Sequence, residues 1–304
     1  MWRPLGIVGA GAVATALGVL LKRAGAHVDV LAGRNPDRIR AASERIGCEG
    51  VSGAAEAARR ASWLLLVVPD DSVPEVAAEI AGVWRQRLPE CAAACHVSGA
   101  LGMSALAEVE ALGAGVGAAH PLQSVVDVDA ALEFLPRSTF GVSGRGEGLR
   151  MARMVARAAG GRILELEDEA RALYHAAATV ASNYFTVLTH VAAGLMSNTT
   201  GLSEEDCIEA LLPLIQGTLQ NVHRRGPVQA LTGPVARGDA GTVARHLEAM
   251  REWQVPVAWE GIYRTLGVEA LALARARGLS EAQARAVAEA LGNGRQEEER
   301  EPSA

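Results

Sequence analysis

Lysine is almost missing from this 304-residue chain: Lys22 is the only one, and the arginines that carry the remaining positive charge are dispersed along helical stretches. With a net charge of −6 there is no basic cluster, which excludes nucleic acid as a partner. Cysteine is scarce too. Cys48, Cys91, Cys95 and Cys207 form neither a CxxC pair nor a disulfide framework, and read as buried free thiols. No long apolar segment precedes the glycines of MWRPLGIVGAG, so the first hydrophobic stretch reads as a strand, not a signal peptide, and a cytoplasmic location is expected. Ala176–Met196 is long and apolar, but it carries Ser182, Asn183, Thr186, Thr189 and His190, which are costly in lipid. It is read as a helix buried in protein, and no membrane association is expected.

What the chain does have is the material of a folded protein, with 49% hydrophobic and 21% charged residues. A length of 304 residues favours two domains, because single cores stop growing at about 250–300 residues. The first half alternates short apolar runs (Leu5–Gly9, His27–Ala32, Trp63–Pro69, Ala92–Val97, Val116–Ala119, Thr139–Val142) with helical patterns such as Ala12–Arg23, Pro36–Arg45, Val73–Arg87 and Gly146–Ala159. That alternation predicts an α/β domain, a doubly wound parallel sheet with helices on both faces, closed by a last strand at Arg162–Leu166. After Glu167 only helical signals remain, with caps expected at Asp168, Ser203, Asp239 and Ser280. The predicted organisation is an N-terminal Rossmann domain over 1–166, an all-helical domain over 167–292, and a disordered tail over 293–304. The helix expected from Asp168 to Asn198 is apolar nearly all round, which a small domain cannot cover alone, so a homodimer is expected.

Gly9-Ala10-Gly11-Ala12-Val13-Ala14 is GxGxxA directly after a strand and opening a helix. Gly9 permits the tight turn, Gly11 lets the backbone approach a pyrophosphate, and Ala14 allows close helix–strand packing. At the end of the second strand, where a carboxylate would grip the ribose of NAD, stand Arg34 and Asn35, with Arg38 one turn on. Guanidinium groups suit a 2′-phosphate, so NADP(H) is the expected cofactor. Val68 and Pro69, ending the WLLLVVPD strand, are expected along the cofactor path, and no metal is called for.

The segments GIVGAGAVATAL from Gly6, LLLVVPDDSV from Leu64, HVSGAL from His96, HPLQS from His120, LYHAAATVASNYF from Leu173 and LTGPVARGD from Leu231 together resemble one family. It joins a Rossmann-like domain to domain of unknown function 2520, within the superfamily of 6-phosphogluconate dehydrogenase, pyrroline-5-carboxylate reductase and ketopantoate reductase. The resemblance implies an NADP-dependent oxidoreductase passing a hydride to a small carbonyl compound (a 2-oxo acid, ketopantoate among them) or an imine. In that superfamily, hydroxyacid dehydrogenases and ketopantoate reductases place a catalytic lysine on the helix after the Rossmann domain. Lys22 lies in the first Rossmann helix, so for a reaction of that type another side chain must donate the proton here.

On that later helix His175, Thr179 and Ser182 fall at i, i+4 and i+7, with Asn183 beside them, a polar stripe that needs partners. We expect His175 as general acid, Ser182, Asn183 and His120 in the catalytic set, and Thr179 on the substrate. His120 and Gln123 follow one strand end and Ser98 another, where nicotinamide and substrate should lie. Arg237 and Asp239, in the loop Thr232–Asp239, are expected to hold the substrate, with Arg237 on a carboxylate. The alternative reading is a non-catalytic NADPH sensor or interaction module, with the polar stripe as interface glue.

Overall fold

The computed structural model describes residues 2–292; the expected disordered tail, 293–304, lies outside the described residues. The chain divides into two compact units, Met1–Asn183 and Tyr184 onward.

The first unit is built on one sheet whose strands are β1 (Leu5–Val8), β2 (Val28–Gly33), β3 (Glu49–Ser52), β4 (Trp63–Leu66), β5 (Ala93–His96), β6 (Gly115–Pro121), β7 (Thr139–Arg145) and β8 (Arg162–Glu165). They lie in the order β3-β2-β1-β4-β5-β6-β7-β8. Strands β1 to β6 all run one way. The helices are α1 (Ala12–Arg23), α2 (Pro36–Ile46), α3 (Ala54–Arg60), α4 (Val73–Trp84), α5 (Ala107–Glu110), α6 (Val128–Phe134), α7 (Gly146–Ala158) and α8 (Arg171–Thr179). Because the central strands are buried on both faces, their side chains alternate between two cores. Trp63 and Leu65 of β4 pack with α1 and α7, through Leu17, Leu21, Met151 and Val155. Leu64 and Leu66 pack with α3 and α4, through Ala57, Ala77, Ile80 and Trp84. The two buried indoles keep their N–H groups bonded, Trp84 to the Ala58 carbonyl at 3.0 Å and Trp63 to the Cys91 carbonyl at 3.2 Å.

The sheet departs from the expected all-parallel one. β7 runs antiparallel to β6, with His120 opposite Gly141, and β8 is parallel to β7, so this pair is reversed. The connection after β6 holds the short α6, which packs on α1, and a 3-10 turn (Leu135–Arg137), and the chain then returns beside β6 instead of crossing over. Strand β3 was not foreseen: its sequence EGVS is short and mostly exposed, as an edge strand can be. Of the four cysteines, all free, Cys95 and Cys207 are buried while Cys48 and Cys91 are only partly so.

The expected unbroken helix after β8 is a series of pieces. A 3-10 turn (Asp168–Ala170) leads into α8, a π-helical turn covers Val180–Tyr184, and α9 (Phe185–Thr200) follows. Asp168 does not cap its own helix. Both its carboxylate oxygens accept the N–H of Met103 at 3.0 Å, where Gly102 leaves room for the carboxylate.

The second unit contains α9, α10 (Glu204–Ala230), α11 (Gly233–Arg237), α12 (Ala240–Glu252), α13 (Val257–Ala276) and α14 (Glu281–Ala290). Its core, Val243, Leu247, Met250, Leu271, Val287 and Leu291 among others, lies between the later helices. Ser203, Asp239 and Ser280 cap α10, α12 and α14 as expected. Among the described residues no helix is long and apolar enough to cross a membrane.

Candidate active site

The turn after β1 is shaped by two glycines with different reasons. Gly9 has φ +127°, and a Cβ there would strike the Val67 carbonyl, so only glycine fits. Gly11 is extended and caps α1; a Cβ on it would meet nothing, because it faces open space. No side chain caps the first turn of α1 and no carboxylate lies in it, which leaves its N–H groups for an anion. Ala14 is fully buried against the sheet.

A cavity of about 420 Å³ runs from this turn to the end of β2, walled by Gly9, Gly11, Arg34, Asn35, Arg38, Val68 and Pro69. Arg34 and Arg38 are exposed, and no described residue bonds or pairs with either guanidinium. Asn35 is engaged elsewhere: its side-chain oxygen accepts the Arg38 N–H at 3.0 Å and caps α2. A second cavity of about 420 Å³ shares Gly11, Val67 and Val68 as walls and continues past Ala12, Val13 and Ala14 to Val97, His120 and Gln123. A groove with two free guanidinium groups at one end and bare backbone in the middle fits a phosphorylated dinucleotide.

At the far end His120 lines the groove and belongs to a cluster of rings. His120, last but one in β6, has Nδ1 3.0 Å from the Tyr174 hydroxyl, and its ring meets those of Tyr174 and His175 edge-on at 5.6 and 5.7 Å. Two glycines make the cluster possible. A Cβ on Gly99 would strike both His175 and His120, and one on Gly141 would strike the Tyr174 ring. Burial, with the neighbouring His175 and Arg171 adding to it, lowers the His120 pKa to about 4, so the imidazole is neutral at neutral pH. Burial pushes the Tyr174 hydroxyl up, against an opposing pull from Arg171 and the Gly141 amide.

Beneath the rings lies Arg171, fully buried at the start of α8. Its Nε donates to the Leu101 carbonyl at 2.6 Å, one Nη to the Ser143 hydroxyl at 2.9 Å, and the other to the Ser98 carbonyl. It thereby ties α8 to β7 and to the loop after β5. Ser98 is committed in the same loop. Its hydroxyl donates to Asp70 at 2.7 Å and accepts the Ala100 and Leu101 N–H groups, which leaves no side-chain donor for the carboxamide expected there. His96 is fully buried with no hydrogen bond from either ring nitrogen, and burial lowers its pKa to about 4.

Two family models match the chain, a Rossmann-like domain over residues 3–121 and domain of unknown function 2520 over residues 138–270. The chain belongs to the family that joins these two domains. No curated protein matches it. Among solved structures, a Bacteroides fragilis protein named as a candidate NADP oxidoreductase is 22% identical, with a TM-score of 0.71 over 89% of this chain and 98% of its own. A Thermotoga maritima protein is 24% identical, with a TM-score of 0.70 over 89% and 99%. The pyrroline carboxylate reductase of Plasmodium falciparum, solved with NADP bound, is 14% identical, with a TM-score of 0.56 over 90% and 98%. At these identities the likeness is one of fold.

Domain 2520 supplies β7, Arg171, Tyr174 and His175 to the cluster, so the ring site is built by both domains of the family within the first unit. His175 is half-buried, and the Thr179 hydroxyl donates to the His175 carbonyl at 3.0 Å, so this part of the polar stripe is satisfied inside its own helix. Ser182 and exposed Asn183 lie in the π turn, which breaks the i, i+4, i+7 spacing. Gln123 is exposed; its side-chain oxygen accepts its neighbour Ser124's N–H at 2.9 Å, and its amide reaches Ser138 at 3.4 Å. In the second unit Asp239 spends both carboxylate oxygens on Thr242, at 3.0 Å to the N–H and 2.7 Å to the hydroxyl, and these bonds hold its pKa low. Arg237, two residues before it, is exposed. Tyr174 and Gly99 were missed in the sequence, where a tyrosine at helical spacing reads as packing and the glycine of HVSGAL as a turn.

Proposed function

We propose that the chain is an NADP(H)-dependent reductase that acts on a small carbonyl or cyclic imine compound. The observation that carries this reading is the groove itself: unpartnered Arg34 and Arg38, the open approach at Gly11, and His120 at the opposite end. The names of the solved neighbours, an NADP oxidoreductase candidate and a reductase of a cyclic imine, agree with it. Arg34 and Arg38 would hold a 2′-phosphate by charge-assisted bonds, the Gly9–Gly11 turn and the first turn of α1 the pyrophosphate, and Val68 and Pro69 the path between. When bound, the nicotinamide supplies the hydride.

The chain's own part in the chemistry is to place a proton on the oxygen or nitrogen that becomes anionic. We assign this to His120 in place of His175, because His120 lines the groove whereas the His175 ring stands edge-on to it at 5.7 Å. A neutral imidazole is a competent donor to a strongly basic alkoxide or amide. Exposed apolar side chains on the helical segments, Leu173 at 78% and Val180 at 60% exposed, further support a homodimer. The test is NADPH oxidation against a panel of 2-oxo acids, ketopantoate included, and cyclic imines. One member should be turned over, and His120→Gln should lower kcat by about 10²–10⁴-fold with NADPH affinity kept. Turnover undiminished in that variant would remove His120 from the role.

A further inference from the structure

A histidine donates only from the nitrogen that carries its proton, and a neutral histidine can carry that proton on either nitrogen. In water the two tautomers interchange freely. In this site the choice is made by what faces Nδ1, and that is the Tyr174 hydroxyl at 3.0 Å. Two arrangements are possible there: the phenol donates to Nδ1, or Nδ1–H donates to the phenolic oxygen. A phenol is the stronger donor of the two groups and an imidazole nitrogen the stronger acceptor. The tyrosine is itself placed by the backbone: Gly141 stands opposite His120 in the β6–β7 pairing, and only a glycine there leaves room for the ring.

We propose that Tyr174 is a positioning residue for His120: its hydroxyl donates to Nδ1 and so fixes the tautomer that carries the proton on Nε2. Nε2 lies at the Gly99 corner, where a Cβ would sit 2.9 Å from it, beside the ring of His175. The groups around His120 are neutral or cationic on most sides, namely His175, Arg171 and His96, with Asp70 the opposing charge. They favour a neutral ring, and a neutral ring works as a donor only in the right tautomer. The functional consequence rests on the assignment of His120 as proton donor; the tautomer itself does not.

The experiment is a long-range proton–nitrogen correlation spectrum of protein labelled with ¹⁵N-histidine, at pH 7 and without cofactor, with the His120 signals assigned by their loss in His120→Gln. The wild-type spectrum should show His120 protonated on Nε2. In Tyr174→Phe, which keeps the ring and removes only the hydroxyl, the His120 shifts should move toward the tautomeric average. A wild-type His120 protonated on Nδ1 overturns the proposal even if the variant fails to fold, and so does a tautomer unchanged in a folded Tyr174→Phe. In the turnover assay Tyr174→Phe should lower kcat about tenfold, the kinetic equivalent of one hydrogen bond, with KM for NADPH unchanged. A shifted tautomer with normal kcat would instead overturn the assignment of His120 as donor.

Discussion

Two histidines, His96 buried and His120 half-buried, couple stability to pH. The pKa values of His96 and His120 both lie near 4 in the folded chain, against 6.5 for an unhindered imidazole. Between pH 6.5 and 4 the unfolded chain therefore takes up protons that the folded chain refuses. Acidification through that window lowers stability, the loss is complete below about pH 4, and nothing is lost above 6.5. For His96, fully buried and without a hydrogen bond, the effect approaches about 3 kcal/mol. Urea midpoints measured from pH 7 to 4 should fall, and His96→Leu should flatten the curve. A wild-type midpoint constant over this range would contradict the burial account. At this scale the sequence disclosed the residues whose role is local: Gly9, Gly11 and Ala14 follow from one strand–turn–helix motif. The ring cluster was half legible, since His120 and His175 could be named but their meeting over Gly99 depends on a contact between residues distant in sequence. Asn35 and Ser98 illustrate the opposite limit. Each stands where a ligand contact was expected, and each spends its side-chain oxygen inside the protein, Asn35 on the Arg38 N–H and Ser98 on Asp70.

Among the elements, α7 sits directly on the backbone of β6. The ideal Cβ position of Gly148 falls inside the Val116 backbone, so the start of α7 rests on the strand with no side chain between them. Gly148→Ala should force the two apart and cost about 1–3 kcal/mol, seen as a lower Tm, with the helix content retained. An unchanged Tm would mean the contact is not as close as described. Strands with long apolar runs, such as β4, were plain in the sequence because burial on both faces demands them. Strand β3 was not, for an edge strand needs little apolar surface. The reversal of β7 and β8 was equally hidden, because strand direction depends on where the intervening α6 docks. The break at Val180–Tyr184 has no counterpart in composition: a π turn inserts a residue into the helical register without a proline or glycine to announce it.

At the level of the whole molecule, apolar surface remains to be covered. Leu173, Val180, Leu214 and Val257 are 78%, 60%, 67% and 87% exposed, far from the pattern of a finished core. Light scattering at micromolar concentration should therefore give about twice 31.6 kDa, and a soluble monomer would refute the dimer. The central claim concerns what the groove holds, and equilibrium titration of the purified chain with NADPH and with NADH tests it most directly. NADPH should bind at least about tenfold more tightly, and Arg34→Ala should cost NADPH about 1.5–3 kcal/mol while leaving NADH little changed. Equal affinity for the two dinucleotides, or equal losses for both in Arg34→Ala, would contradict the account.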